Sequence, residues 1–367
     1  MTGRYLYAVM AGEHRLDLDP CGVPDGSAEV VAIVGHGLTA VGSPYEDVPF
    51  SDLARADVFG RLVIHQRVIE LVNDESSVLP ARLGTVLSSE DEARMVLERF
   101  QKPLARALRD VGGAVEVDLS ATWDTDAVIA DVGREPAVAA LAHAASTVQA
   151  DDDLAERVRV GMVVHEAVQK RREEYRRRIV GDLLAFTRDA QPNPVLTDNV
   201  VVNLALLVER SMLTEFELAV DRLGEELANW LTFRYVGPLP PYSFATVDVL
   251  RPDSHTVESA RRVLGLGEHC SAATLKSTYR RLAAEVHPDR NVNDPGAQER
   301  FALLTSARDT LNDFISGQPV DGPRSGSEYE HDLTPTSVEH SLLLRISRSD
   351  EPPSSLHQAS NEPDLFN

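Results

Sequence analysis

His287, Pro288 and Asp289 stand in consecutive positions at the end of an apolar-periodic stretch, "AAEVHPDRN" (283–291). An imidazole beside a carboxylate can act as a general-base pair or as two ligands of a metal, but either chemistry needs a third group in reach. No nucleophile or further ligand lies nearby in a supporting pattern, so no catalytic, metal-binding or cofactor-binding residue is assigned. The proline carries different information. It cannot continue a helix and drives the residue before it out of helical geometry, which predicts an exposed corner for the triplet. Taken alone, three such residues would read as a helix-ending turn facing water.

The elements around the corner change that reading. In "SAATLKSTYRRLAAEVHPDR", Leu275, Tyr279, Leu282 and Val286 recur at helical spacing, while Lys276, Arg280 and Arg281 form a basic face elsewhere on the helix. A second helix, "AQERFALLTSARDTLNDF", offers Phe301, Leu304, Ala307 and Leu311 as its apolar stripe. The expected product is a helical hairpin with a polar tip.

Residues 256–316 resemble the J-domain of DnaJ-type co-chaperones. "VLGL" (263–266) is similar to the end of that family's first helix, "LKSTYRRLAAEVHPDRN" to its second helix and loop, and "RFALLTSARDTLND" to its third. Two positions depart from the pattern: Ala260-Arg261 replace the usual aromatic pair before "VLG", and Arg308 replaces an aromatic. Looser packing of the first helix is therefore expected. The resemblance implies that His287, Pro288 and Asp289 engage a DnaK-type chaperone and stimulate its ATP hydrolysis, with Lys276, Arg280 and Arg281 attracting that acidic partner. Over 256–316 eight basic residues balance eight acidic ones. A basic face can thus act locally, screened within about a Debye length from acid elsewhere.

Upstream, "RYLYAVM" (4–10), "EVVAIVGHG" (29–37) and "LTAVGS" (38–43) read as strands, and 56–74 as a helix with Leu62, Val63, Val68, Ile69 and Val72 on or near one stripe. Ser89 with Glu92 resembles a capping box opening a second helix. Strict alternation over Val115, Val117, Leu119, Ala121 and Trp123 marks a half-buried strand. A long helix over 151–187, a strand over 199–209, a helix over 212–229 and a strand over 230–244 make a second α+β unit. Its cluster of Lys170, Arg171, Arg172, Arg176, Arg177 and Arg178, interleaved with Glu173 and Glu174, reads as a solvated, internally paired face.

Residues 3–244 resemble the gas vesicle accessory family GvpF/GvpL. The resemblance rests on "RYLYAV", "LVIHQRVIELVNDESSVLPARLGTVL" (62–87), "VEVDLSATWD" (115–124), "VNLALLVERSMLTEFELAVDRLGEEL" (202–227) and "GPLPPYSF" (237–244), with Leu83 where members usually carry Phe. It implies a ferredoxin-like first domain, a second α+β domain, and a role in assembling a gas vesicle shell with the hydrophobic shell protein GvpA and other accessory proteins as partners. No catalytic residue is carried over. His65 and Trp123 read as packing residues.

The expected class is thus α+β: a ferredoxin-like domain (1–125), a second α+β domain (126–250), a linker at 251–255, an all-α J-domain (256–316) and a disordered acidic tail (317–367) within which "HSLLLRI" (340–346) could dock. With 58 acidic against 36 basic residues and a net charge of -22, nucleic acid is excluded as a main partner. Cys21 and Cys270 are too few and too distant for a disulfide framework. No stretch approaches a membrane span, and a cytoplasmic, gas-vesicle-associated protein without enzymatic activity is expected. Two rivals make different demands: a general co-chaperone would hold varied unfolded clients, and a hidden hydrolase would need a polar, ligand-lined pocket.

Overall fold

The computed structural model describes residues 3–14, 30–45, 54–146, 153–195, 197–319 and 329–348. The chain divides into two compact units, 1–112 together with 245–367, and 113–244.

The first unit opens with β1 (Gly3–Ala11), the β2 (Val31–Gly35) and β3 (Leu38–Tyr45) hairpin, α1 (Arg55–Glu75), β4 (Val78–Pro80), β5 (Val86–Leu87), α2 (Glu90–Arg99) and α3 (Gln101–Val111). The strands run β2-β3-β1-β4, all neighbours antiparallel, with β5 also on β1. His36 and Gly37 both take positive φ (55° and 73°), the twist a two-residue hairpin turn demands. On α1 the buried stripe is Val58, His65, Val68, Ile69 and Val72; Leu62 is half-buried and Val63 exposed, outside the stripe expected for them. Ser89 caps α2 by accepting the Glu92 amide at 3.1 Å, while the Glu92 carboxylate accepts the Ser88 amide at 2.5 Å.

The second unit comprises β6 (Ala114–Thr122), α4 (Thr125–Val132), α5 (Pro136–Ser146), α6 (Asp153–Leu183), β7 (Thr187–Pro192), β8 (Val200–Glu209), α7 (Leu213–Glu226) and β9 (Thr232–Leu239), in the antiparallel order β7-β8-β6-β9. Both sheets therefore share one order: second strand, third, first, fourth. The second shows the βαββαβ sequence of a ferredoxin-like unit; in the first, residues 15–29 between β1 and β2 lie outside the described residues. Its core joins Val117, Leu119 and Ala121 of β6 to Ile179 and Leu183 of α6 and Phe216, Val220 and Leu223 of α7.

Two expected boundaries move. The strand at 114–122, placed at the end of the first domain, is a central strand of the second sheet, because alternation reports a half-buried strand and not the sheet it joins. The stretch 245–255, divided between the second domain and a linker, is instead β10 (Thr246–Leu250) and the cap of α8 (Ser254–Val263), both in the first unit. Asp253 caps α8 by accepting the Thr256 amide at 2.9 Å.

The remainder is β11 (His269–Ser271), α9 (Ala272–Val286), α10 (Ala297–Ser316), β12 (Glu330–Asp332), α11 (Pro335–Glu339) and β13 (Leu343–Ser347). The disorder expected from Gly317 onward does not extend over 329–348: β12 pairs with β11, and β13 pairs with β10. Average composition over 317–367 conceals a short apolar subset, and Leu333, Val338 and Leu342–Leu344 are buried. Residues 320–328 and 349–367, and Cys21, lie outside the described residues. Cys270 is buried and free. Among the described residues no helix is long and apolar enough to cross a membrane.

Candidate functional site

The 287–289 corner is built by α9 and α10. Ser271 caps α9, its hydroxyl accepting the Thr274 amide at 3.1 Å, and α9 ends where Pro288 cannot donate an amide hydrogen. His287 leaves the helix with φ -55° and ψ 131°, and Pro288–Arg290 form a single 3-10 turn. The carbonyls at a helix C-terminus lack intrahelical donors. Here Arg290 donates its guanidinium to the Ala284 carbonyl (3.0 Å), and the Asn291 side-chain amide donates to the Glu285 carbonyl (2.9 Å) and the His287 carbonyl (3.1 Å). These two residues, not singled out from the sequence, close the corner. The orphan carbonyls of any helix end are the signal that could have found them.

Within the corner the Asp289 amide donates to His287 Nδ1 at 3.2 Å, so the proton of the neutral ring sits on Nε2. The ring is fixed from its other side by Phe301, edge-on at 5.1 Å. Phe301 is half-buried and does not belong to the core stripe expected of it; Leu304, Ala307, Leu311, Phe314 and Ile315 fill that core. The His287 side chain is 42% exposed and that of Asp289 89%, which presents the carboxylate almost wholly to solvent.

The expected basic face divides. Lys276 and Arg280, four residues apart on α9, are exposed on one side of the helix. Arg281 is also exposed but faces elsewhere and pairs with Glu285 at 3.1 Å. Arg308 stacks its guanidinium 4.5 Å above the Tyr279 ring, so the departure from an aromatic at this position is filled by a cation–π contact. Arg261 donates to Glu258 and to the Leu266 carbonyl (2.8 Å), tying the end of α8 to the turn at Gly265, whose φ of 63° suits glycine. Despite Ala260-Arg261, α8 is buried along Val257, Ala260 and Leu264.

Elsewhere, polar side chains are committed to internal partners. His65 accepts the Tyr5 hydroxyl at Nδ1 (3.0 Å) and donates from Nε2 to the Ala81 carbonyl (3.0 Å); burial lowers its pKa to about 4. Burial pushes Glu116 up to about 7, although its carboxylate accepts the amide (2.7 Å) and hydroxyl (2.8 Å) of Ser243 within "GPLPPYSF". Trp123 donates to the Asp198 carbonyl at 3.3 Å and carries Arg172 5.2 Å over its ring. In the basic cluster of α6, Arg171 bridges Asp131 and Glu135, Arg176 and Arg177 pair with Glu173, and Arg178 pairs with Asp182 and Glu226. The pairs of Arg176, Arg177 and Arg178 within α6 are those expected of a paired face, whereas Arg171 and Arg178 also reach acids outside α6 and Arg172 lies over Trp123. Among the described residues no group of three or more His, Cys, Asp and Glu is arranged to hold a metal ion.

The family model of the gas vesicle synthesis protein GvpL/GvpF matches residues 3–246, and so spans the five-stranded and the four-stranded sheet. The chain belongs to this family. Beyond its GvpL/GvpF region it carries a DnaJ domain, whose family model matches residues 262–316, including the corner. Gas vesicle protein F of a Streptomyces species is 29% identical over 244 residues, which cover 65% of this chain and 98% of the relative. DnaJ homolog subfamily B member 11 of Bos taurus is 44% identical over 75 residues, 19% of this chain and 21% of the relative. The crystal structure of GvpF from Anabaena sp. covers 66% of this chain and 98% of its own, with a TM-score of 0.57 at 18% identity, a likeness of fold.

Proposed function

We propose that this GvpL/GvpF-family protein is a cytoplasmic gas vesicle assembly factor that binds shell subunits such as GvpA through residues 1–250 and recruits a DnaK-type chaperone through the DnaJ corner. One observation carries the reading: a GvpL/GvpF region and a corner with an 89% exposed Asp289 occur in the same chain. A hydrophobic subunit that polymerises into a shell is an aggregation hazard until it is incorporated. An assembly factor that delivers a chaperone to that subunit answers the hazard without catalytic chemistry of its own.

The direct test is binding and chaperone stimulation with purified full-length chain. The assembly reading expects preferential capture of the newly synthesised shell protein over unrelated denatured proteins, together with faster ATP turnover by the chaperone. Equal capture of unrelated clients would replace it with the general co-chaperone reading.

A further inference from the structure

Three side chains in the core of the DnaJ module come from beyond the C-terminal end of the matched DnaJ region. Leu333, Val338 and Leu343 are each at most 1% exposed and pack into the cluster formed by Val257, Leu264, Leu304, Leu311 and Phe314. They belong to 329–348, beyond both the 3–246 and 262–316 matches.

The same segment is tied by backbone bonds along its length. β12 pairs with β11, and the Leu333 amide donates to the Glu268 carbonyl at 2.7 Å. At α11, Glu339 accepts the Ser254 hydroxyl of α8 at 3.0 Å. β13 pairs with β10 over five residue pairs, from Thr246–Ser347 to Leu250–Leu343, and the Leu344 amide donates to the Gly317 carbonyl at the end of α10 (2.8 Å). β10 continues the connection on its other side. Its Val247 carbonyl accepts the Arg82 amide at 2.8 Å beside a bridge to Ala81, just past β4, and Arg251 reaches the Glu92 carboxylate of α2 at 2.5 Å. A continuous hydrogen-bonded path therefore runs from the C-terminus of α10 to the first sheet. The corner lies toward the opposite end of α10, whose 20 residues span about 30 Å at 1.5 Å per residue. All the bonds of the segment named above are made away from His287 and Asp289.

We propose that residues 329–348 are a strap that makes the DnaJ module a rigid arm: they complete its core, anchor it to the first sheet, and hold the chaperone-docking corner at a fixed standoff. What the arm presents rests on the co-chaperone reading above; the holding role of the strap does not. A DnaJ region cut at 316 should accordingly be an incomplete module, whereas a chain stopped after Arg348 should keep it whole.

Four forms of the full protein test this: the intact chain, a stop after Arg348, a stop after Pro319, and the intact chain carrying Val338→Asp. Amide exchange over 246–316 reports the strap independently of any partner. The distance distribution between labels at Glu98→Cys and Ser277→Cys, in a Cys21→Ser background, reports rigidity. ATP turnover by a DnaK-type chaperone reports function, with Asp289→Asn as the inactive control. The stop after Arg348 should match the intact chain in all three. The stop after Pro319 and Val338→Asp should raise exchange in β10 and α8 at least tenfold, broaden the distance distribution, and lower stimulation at least fivefold. Unchanged protection and an unchanged distribution without the strap would overturn the proposal. If the intact chain gives no stimulation, the co-chaperone reading fails, and exchange and distance alone decide the strap.

Discussion

The ring of His287 meets that of Phe301 edge-on, with 5.1 Å between centroids and 73° between planes. Phe301 sits in the first turns of α10, so this contact joins the corner to the start of that helix. Phe301 and Phe314 belong to the same helix but face different surroundings: Phe314 is fully buried and Phe301 half-buried. Phe314→Ala should cost about 3–5 kcal/mol and melt the DnaJ module, as truncation of a buried aromatic typically does. Phe301→Ala should cost about 1–2 kcal/mol, closer to the value of an aromatic pair, and leave the module folded while chaperone stimulation falls. Urea unfolding followed by amide exchange over 254–316 separates the two. Equal destabilisation would remove Phe301 from its positioning role.

Asp289→Asn replaces one highly exposed side chain with another of the same shape, and surface changes of that kind stay within about 0.5 kcal/mol. The hydrogen bond to His287 Nδ1 is donated by the backbone amide of residue 289 and survives the substitution. Stability should hold while stimulation of ATP turnover disappears. A folded variant with normal stimulation would exclude this corner as the docking site.

Arg290 and Asn291 fill the unsatisfied carbonyls of α9. Asn291→Ala removes a donor shared by Glu285 and His287, so a loss of about 1 kcal/mol is expected, the usual scale of a helix cap. The loss should appear as faster exchange in the last turn of α9 while the core around Leu311 stays protected.

The corner was legible in the sequence because its signals are local. A proline must end α9, and its flanking residues repeat at helical spacing, so position and exposure follow from sequence distance alone. The alternating strand at 115–123 was legible for the same reason. Its membership of the second sheet was not, since β6 finds β8 and β9 more than 70 residues away through pairings that alternation does not encode. β7 was hidden too: Asp189, Gln191 and Pro192 carry little strand propensity, and the strand stands by pairing with β8. The strap was concealed by averaging. Pro, Ser, Gly and acid dominate 317–367, yet the few apolar residues at 333, 338 and 342–344 are spaced to meet β10, β11 and α8.

The two units should respond to pH in opposite senses. His65 falls from its ordinary 6.5 to about 4 because burial disfavours the charged ring. Its contribution is present above pH 6.5 and is lost as pH drops toward 4, where the unfolded chain binds the proton first. Glu116 rises from 4.5 to about 7, again through burial, so the second unit is favoured below pH 4.5 and loses that advantage as pH climbs through 7. At about 1.4 kcal/mol per unit each effect is on the order of 3 kcal/mol. Amide exchange at pH 5 and pH 8 should show β1 and α1 better protected at pH 8, and β6 and β9 better protected at pH 5, once intrinsic exchange rates are divided out. Glu116→Gln should flatten the second trend while leaving the first. Parallel trends in both units would contradict the burial of these two groups.

The proposed coupling of shell binding to chaperone delivery can be tested by cutting the chain. A fragment ending at Arg251 keeps both antiparallel sheets and β10 but loses the DnaJ module and the partner strand of β10, β13. It should still capture shell protein, though without chaperone delivery. Supplied as a second polypeptide, residues 252–348 contain the module with its strap, but they lack β10 and the Arg251–Glu92 contact that place the arm on the first sheet. Under the proposed reading, covalent attachment would keep the corner at a high effective concentration beside bound client, which separate chains at ordinary expression levels would not reproduce. In a host lacking the native copy, floating-vesicle yield should therefore rank the intact chain first, the two fragments together well below it, and the first fragment alone last. Equal yields from all three would mean that the GvpL/GvpF region accounts for assembly by itself. Full rescue by the two fragments would mean that the module acts without being held on the first sheet, and that the arm's standoff has no part in handing the client over.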